Sequence, residues 1–366
     1  MKAYINARIF TGETFLTDHA VITEDGTIVD VVPRKRIPVN AAIIDLPNKI
    51  LAPAFIDIQI YGGNGKLFSN ELSAEAIQAT YDYCVSGGAT HFFITLATNS
   101  MEVFYKGIDA VRDYWKQGGK GMPGLHLEGP YLNPLKRGAH IEKYIKKPIL
   151  KEVKELLQYG KGIIKIMTIA PEQCDDAVIQ LLQEEGIVIS AGHSNASYSE
   201  GIAGFGKGIA CATHLFNAMS ALQHRAPGLV GAIYDHAHVM SSIVPDGIHV
   251  DFAALRISKK IMRERLFIIT DAVTETASGE YPHVFKGDRY TMPDGTLSGS
   301  ALTMMKGVKN LVSEAGIELG EALRMASLYP ARAVGLDDKL GRIEKGYAAD
   351  LVVFDDDFEV YLLNKV

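Results

Sequence analysis

Several short apolar runs in this 366-residue chain stop on residues that can do chemistry. "GLHLE" stops at Glu128, "GIVISAGH" at His193, "IACATH" at His214 and "LFIITD" at Asp271. Other runs close on Asp57 and Gln59, on Thr95, on Thr168, and on Asp246 followed by His249. A lone histidine in such a place is ordinarily a hydrogen-bonded core residue. One carboxylate and two imidazoles arriving from three separate runs carry more information. Glu128, His193 and His214 are the donor set that catalytic zinc uses, with a further position left for water. Iron, cobalt or manganese accept the same donors. Asp271 then stands where a carboxylate could take a proton from an activated water and return it to a leaving group.

For these side chains to meet, the runs must be neighbouring parallel strands. They are "AFIDI" (54–58), "THFFITL" (90–96), "GLHLE" (124–128), "IIKIMTI" (163–169), "IVISAG" (187–192), "IACATHL" (209–215), "VMSSIV" (239–244) and "LFIITDA" (266–272). Amphipathic stretches such as "CDDAVIQLLQEEG" separate most of them, and several of these close on glycine, as helix ends do. Eight strands with helical crossovers predict an α/β fold, a (β/α)8 TIM-type barrel whose chemistry sits at the C-terminal strand ends. An open doubly wound sheet would call for a glycine fingerprint at the first strand–helix turn. "YGGNGKLF" (61–68) has no such pattern and reads as a loop. The first fifty residues look all-β, with "AVITEDGTIVDVV" (20–32) forming two alternating runs around Asp25-Gly26, a hairpin signal. "GRIEKGYAADLVVFD" (341–355) is β-like again. The expected organisation is a small discontinuous β-sandwich domain from residues 1–50 and 336–366 around a catalytic barrel of residues 51–335.

The same reading sets other histidines aside. His91 opens the second run, and His236 and His238 precede the seventh, so all three fall at the opposite mouth of the barrel. His126 shares a strand face with Glu128 and reads as an inner-layer residue. Composition narrows the partners. A net charge of −6 leaves no basic footprint for nucleic acid. No apolar run is long enough for a membrane span. No secretory signal core is evident, and the three cysteines, Cys84, Cys174 and Cys211, form no close pair. A reduced, cytoplasmic setting is expected.

The motifs "GLHLEGPYLN" (124–133), "SAGHSNA" (190–196), "ATHLFNAM" (212–219), "DGIHVD" (246–251), "ITDA" (269–272) and "LSGSALTM" (297–304) occur in this order along the chain. In them the sequence resembles the N-acetylglucosamine-6-phosphate deacetylase family of the amidohydrolase superfamily over nearly its whole length. The resemblance implies a metal-dependent barrel that removes acetate from an amino-sugar phosphate and works as a homodimer. It assigns Glu128, His193 and His214 to the metal and Asp271 to acid/base catalysis. It implies substrate contacts from Ala139 and His140, Asn217 and Ala218, Arg225, Asp246 and His249, and Leu297, Ser298 and Gly299. Arg225 would bind the phosphate across the dimer interface, its planar fork suiting that anion. His249 would help stabilise the oxyanion formed at the acyl carbon.

Departures from the superfamily pattern carry their own expectations. Many amidohydrolases place His-x-His at the end of the first strand to hold a further metal. Gln59 and Tyr61 stand there instead, and a neutral amide and a phenol are poor ligands beside imidazole, so one divalent metal per subunit is expected, zinc first. The segment "VTETASGEYPHVF" after Asp271 differs from the family's small-residue loop. It leaves open a deacetylase of another N-acyl amino sugar, or a hydrolase of another amide. A catalytically dead sugar-phosphate binder would have no need of Asp271.

Overall fold

A computed structural model describes residues 1–362 of the chain. Its centre is one eight-stranded parallel sheet in chain order: Phe55–Ile60, Ala89–Ala97, Leu125–Glu128, Ile164–Ile169, Val188–Ala191, Cys211–Ala212, Met240–Ile243 and Leu266–Ile268. The chain beyond the eighth strand returns to the first. Asp271 N–H donates to the Gln59 carbonyl at 3.0 Å, and Tyr61 N–H donates to the Ala272 carbonyl at 2.9 Å. The sheet thereby closes into a (β/α)8 barrel with no free edge.

Alternation along each strand sorts side chains between two layers. In Leu125–Glu128, the fully buried Leu125 and Leu127 take one face, and His126 and Glu128 the other. Helices cover the outside. Met101–Lys116 starts where the Ser100 hydroxyl accepts from Val103 N–H, and it buries Phe104, Ile108 and Val111 along one stripe. Each such side chain contributes on the order of 2 kcal/mol of hydrophobic stabilisation. Tyr198–Gly206 begins with a reciprocal cap between Ser197 and Glu200.

The barrel interior beneath the mouth is polar and fully paired. His126 Nδ1 faces the Ile58 carbonyl at 3.0 Å and its Nε2 the Thr168 hydroxyl at 2.8 Å. Thr168 continues to Thr213 at 2.8 Å, and Thr213 to Ser190 at 2.6 Å. Burial pushes the His126 pKa down to about 4, so the ring is a neutral structural link. This agrees with an inner-layer role.

The β-sandwich is built from two small sheets. Four strands run in the order Thr27–Pro33, His19–Glu24, Lys2–Ile5, Ala42–Asp45, and five in the order Val360–Tyr361, Leu351–Phe354, Ile50–Pro53, Arg8–Phe10, Phe15–Leu16. Ile9, Val21, Ile28, Leu51 and Val353 are fully buried in their shared core. The hairpin at Asp25-Gly26 forms as expected, with φ of 48° and 75° at the two turn residues. Leu351–Phe354 pairs antiparallel with Ile50–Pro53, which joins the two distant chain segments. Residues 363–366 of the expected β segment lie outside the described residues.

The structure corrects one expectation here. "YGGNGKLF" is not a plain loop. Gly62–Gly63 pairs with Lys66–Leu67 around Asn64 and Gly65, whose φ values of 50° and 79° suit a tight hairpin turn. Gly62 is required for the pairing, because a Cβ there would lie 2.3 Å from the Lys66 carbonyl oxygen. Two-residue strands are too short for alternation to reveal.

Candidate active site

The C-terminal strand ends carry unusual backbone. His193, His214 and Asp271 have φ of 47°, 37° and 53°, in the left-handed region that residues with a Cβ seldom enter. Phe216 and Ala218, just past His214, have φ of 78° and 51°. Such positions each carry strain on the order of 1 kcal/mol and persist where the surroundings dictate them. His193, His214 and Asp271 each lie two or three residues past the end of their strand, in the turn that carries the chain over the barrel mouth. The sixth and eighth strands are shorter than their apolar runs.

Those turns deliver the imidazoles to Glu128. Glu128 Oε1 lies 3.0 Å from His214 Nε2 and 3.3 Å from His193 Nε2, and the two Nε2 atoms are 3.1 Å apart. His140 joins from the other side, its Nε2 3.0 Å from Glu128 Oε2. Glu128, His140 and His193 also form a compact group of potential metal donors. Hydrogen bonds at the far side of the His193 and His140 rings separate their roles. His193 Nδ1 lies 2.9 Å from the Lys136 carbonyl, which can only accept, so Nδ1 carries the proton and Nε2 presents a lone pair. His140 Nδ1 accepts from Thr98 N–H at 3.2 Å, so its Nε2 carries the proton and donates to Glu128. His140 is thereby a donor to the carboxylate and not a lone-pair ligand. His214 Nδ1 is buried without a partner.

The residues fit a divalent cation. Donor atoms about 2.0–2.1 Å from a tetrahedral zinc are roughly 3.3 Å from one another, close to the spacings among Glu128, His193 and His214. Burial alone would raise the Glu128 carboxyl, but the nearby imidazoles of His140 and His193 hold it well below its usual range. Burial, with His140 close by, pushes His193 down to about 4, which favours the neutral ring a metal requires.

Asp271 faces this centre. Burial raises its carboxyl pKa against the pull of His214 and His249, and the negative charges of Glu128 and Asp246 raise it further. Gln59 Nε2 reaches Asp271 Oδ1 at 2.9 Å and Glu128 Oε1 at 3.0 Å. Tyr61 donates its hydroxyl proton to Glu128 Oε2. Gln59 and Tyr61 thus orient the two carboxylates. His249 Nε2 lies 3.8 Å from Asp271 Oδ2, while its Nδ1 is 2.6 Å from Asp246 Oδ2. Asp246 Oδ1 also accepts from the backbone N–H groups of Ile248 and His249.

One cavity opens over this centre. Its lining includes Glu128, Ala139, His140, His193, His214, Asn217, Ala218, His249, Asp271, Leu297, Ser298 and Gly299. Two expected substrate contacts are not in it. Asp246 is held behind His249 and positions that ring. Arg225 is exposed on the loop before helix Gly228–Asp235, outside the cavity of its own chain. No Lys or Arg lines the cavity among the described residues. Sequence reasoning missed Tyr281 and His283, which line the cavity from the segment after Asp271. Their signal was an aromatic and an imidazole in "GEYPHVF", directly downstream of the eighth strand.

A closed (β/α)8 barrel with an acid, the lone-pair nitrogen of His193 and the adjoining His214 imidazole at its mouth defines a class of metal-dependent hydrolase frames. The chain belongs to the amidohydrolase family, whose model matches residues 50–365, and a NagA composite domain matches residues 1–51. It is 37% identical to the N-acetylglucosamine-6-phosphate deacetylase of Haemophilus influenzae, over 98% of this chain and 96% of that one. The crystal structure of N-acetylglucosamine-6-phosphate deacetylase from Pasteurella multocida superposes with a TM-score of 0.94 at 36% identity, covering 98% of this chain and 96% of that chain. A mutant N-acetyl-D-glucosamine-6-phosphate deacetylase from Mycobacterium smegmatis, in complex with N-acetyl-D-glucosamine-6-phosphate, matches with a TM-score of 0.90 at 29% identity, covering 98% and 96%.

Proposed function

We propose that this protein deacetylates N-acetyl-D-glucosamine 6-phosphate to D-glucosamine 6-phosphate and acetate, in amino-sugar catabolism and recycling. The observation that carries the reading is Asp271 facing the Glu128–His193–His214 donor set in one cavity, in a chain 37% identical to a deacetylase of that substrate. Glu128, His193 and His214 would hold one divalent cation per subunit, with zinc favoured by the donor set. When bound, such a cation supplies Lewis acidity, acidifying a water and polarising a carbonyl.

The chain's own residues account for the proton and the orientation. Asp271 accepts a proton as the water oxygen bonds to the acyl carbon and the carbonyl π pair moves onto oxygen. His249, anchored by Asp246, faces the same space and hydrogen-bonds the developing oxyanion. Collapse re-forms the carbonyl and breaks the C–N bond. Asp271 returns its proton to the leaving nitrogen. His140 donates to Glu128 and keeps that carboxylate ionised.

A phosphorylated sugar needs a cation, and among the described residues the cavity has none of its own. This supports a homodimer in which Arg225 of the partner subunit reaches the phosphate. The exposed Leu222 beside that arginine supports a covered surface there. The division into a β domain of residues 1–50 and 336–366 and a barrel of 51–335 is supported by the five-stranded sheet, which joins strands from both ends of the chain. Three free cysteines, and no described helix long and apolar enough to cross a membrane, support a cytoplasmic setting.

The test is acetate release from N-acetylglucosamine 6-phosphate beside the unphosphorylated sugar, on protein of assayed metal content. Turnover of the phosphate ester alone, with about one metal per chain, is expected. Metal-loaded protein that releases acetate from neither sugar overturns the reading.

A further inference from the structure

The segment after Asp271 builds a wall of the cavity. Val273, Tyr281 and His283 all line it, beside Ser298 on the strand Leu297–Ser300. His283 is held at two points. Its backbone N–H donates to the Thr276 carbonyl at 2.9 Å, and Thr276 N–H donates back at 3.1 Å. Its Nδ1 lies 2.8 Å from the Ser298 hydroxyl oxygen. The residue is 4% exposed, yet Nε2 keeps contact with solvent and has no protein partner among the described residues. Burial pushes the ring's pKa down to about 4, so it is a neutral imidazole near pH 7.

Two of its neighbours in the cavity are more committed. Asn217 directs its amide N–H groups at the carbonyls of His214 and Leu215, both at 3.3 Å. Ser298 is engaged with His283 itself. A neutral imidazole with one free nitrogen suits a hydroxyl rather than a phosphate dianion. Its place in the wall also fits the sugar ring. Ser300 N–H donates to the Asp271 carbonyl at 3.0 Å. Ser298 lies two residues along that strand, roughly 7 Å away. With the acetamide carbon at Asp271, that distance reaches the far side of a hexose ring.

We infer that His283, through its free Nε2, hydrogen-bonds a hydroxyl on the C3–C4 edge of the sugar and sets the preference between C4 epimers. This rests on the deacetylase reading above.

The experiment compares kcat/KM for N-acetylglucosamine 6-phosphate and N-acetylgalactosamine 6-phosphate. It uses metal-loaded wild type, His283→Phe and Ser298→Ala. Phe fills the space without the hydrogen bond, and its expected effect is a loss of roughly tenfold to a hundredfold for the preferred epimer. The ratio between epimers should move toward one. Ser298→Ala frees the ring and should give a smaller change in the same direction. Thermal midpoint and metal content establish that each variant is folded, and His283→Asn is the fallback if Phe is not accommodated. A merely structural role would lower both epimers together. An unchanged ratio in folded variants overturns the inference while leaving the deacetylase reading intact. Wild-type protein inactive on both sugars overturns both.

Discussion

The two ends of the barrel use histidine in opposite ways. At the C-terminal mouth, His140, His193 and His214 crowd one carboxylate, buried and on strained or tightly bonded backbone. At the other end, His236 uses Nδ1 to accept from the backbone N–H groups of His238 and Val239, and His91 bonds its neighbour Thr90. His236 and His238 show the H-x-H spacing that invites a metal reading, yet there the ring works as a local turn cap. His193 is presented as a metal donor because its far nitrogen is held by the Lys136 carbonyl and its near nitrogen meets Glu128 and His214. Sequence spacing specifies neither condition.

The comparison breaks most sharply at Asp271. Asp271→Asn should keep metal and substrate binding but lower kcat by roughly 10²–10⁴-fold, the range of a lost general base. The pair His236→Asn and His238→Asn should leave acetate release within about twofold, as surface changes do. Comparable losses at both ends would erase the distinction. Next comes Arg225→Ala, expected to raise KM for the phosphorylated sugar roughly tenfold to a hundredfold and leave the unphosphorylated one unchanged. Mixing Arg225→Ala subunits with Asp271→Asn subunits sharpens this. If the arginine serves the partner's site, one site per mixed dimer regains both groups, and kcat/KM at low substrate recovers. No recovery would put the arginine in its own subunit's site. Asp246→Asn should be milder, roughly a tenfold loss of kcat/KM, because it loosens His249 without removing it. An unchanged pH–rate profile and unchanged kcat would take His249 positioning out of the mechanism.

Much of this was legible in the sequence for a physical reason. The barrel and the central site coincide with places where an apolar run ends on a polar residue, so Glu128, His193, His214 and Asp271 each marked the end of a run as well as a place in the proposed site. Asp25-Gly26 marked a turn by its backbone requirement. What stayed hidden depends on contacts between distant segments. The tautomer of His140 is decided by Thr98, beyond the second strand. Asp246 carries the same local pattern whether it meets substrate or props His249. His283 enters the cavity only because a long excursion folds back onto Ser298. Strain at His193 and His214 is imposed by the closed barrel, and neither residue type announces it.

The smallest effect on acetate release separates burial from catalysis within one residue type. Asp57, like Asp271, is a buried aspartate near the seam between the first and eighth strands. It accepts from Thr270 N–H at 3.2 Å, from the Thr270 hydroxyl, and from Gln59 N–H at 3.3 Å. Burial nonetheless pushes its pKa up to about 7. Unfolded, the same carboxyl titrates near 4. Between those values the folded chain keeps a proton that the unfolded chain has released. Its contribution to stability is therefore full below about pH 4 and is lost as pH rises toward about 7, by up to about 4 kcal/mol. Asp57→Asn cannot ionise and removes that slope. Relative to wild type, the variant's thermal midpoint should rise steadily from about pH 4 to about pH 7 and then level. Acetate release should stay near wild type, because Asp57 touches the closing strand rather than the cavity. A midpoint difference that stays constant with pH would mean that Asp57 remains ionised in the fold. The seam would then hold a charged acceptor, and buried charge would no longer distinguish the aspartate proposed for acid/base catalysis from the structural one.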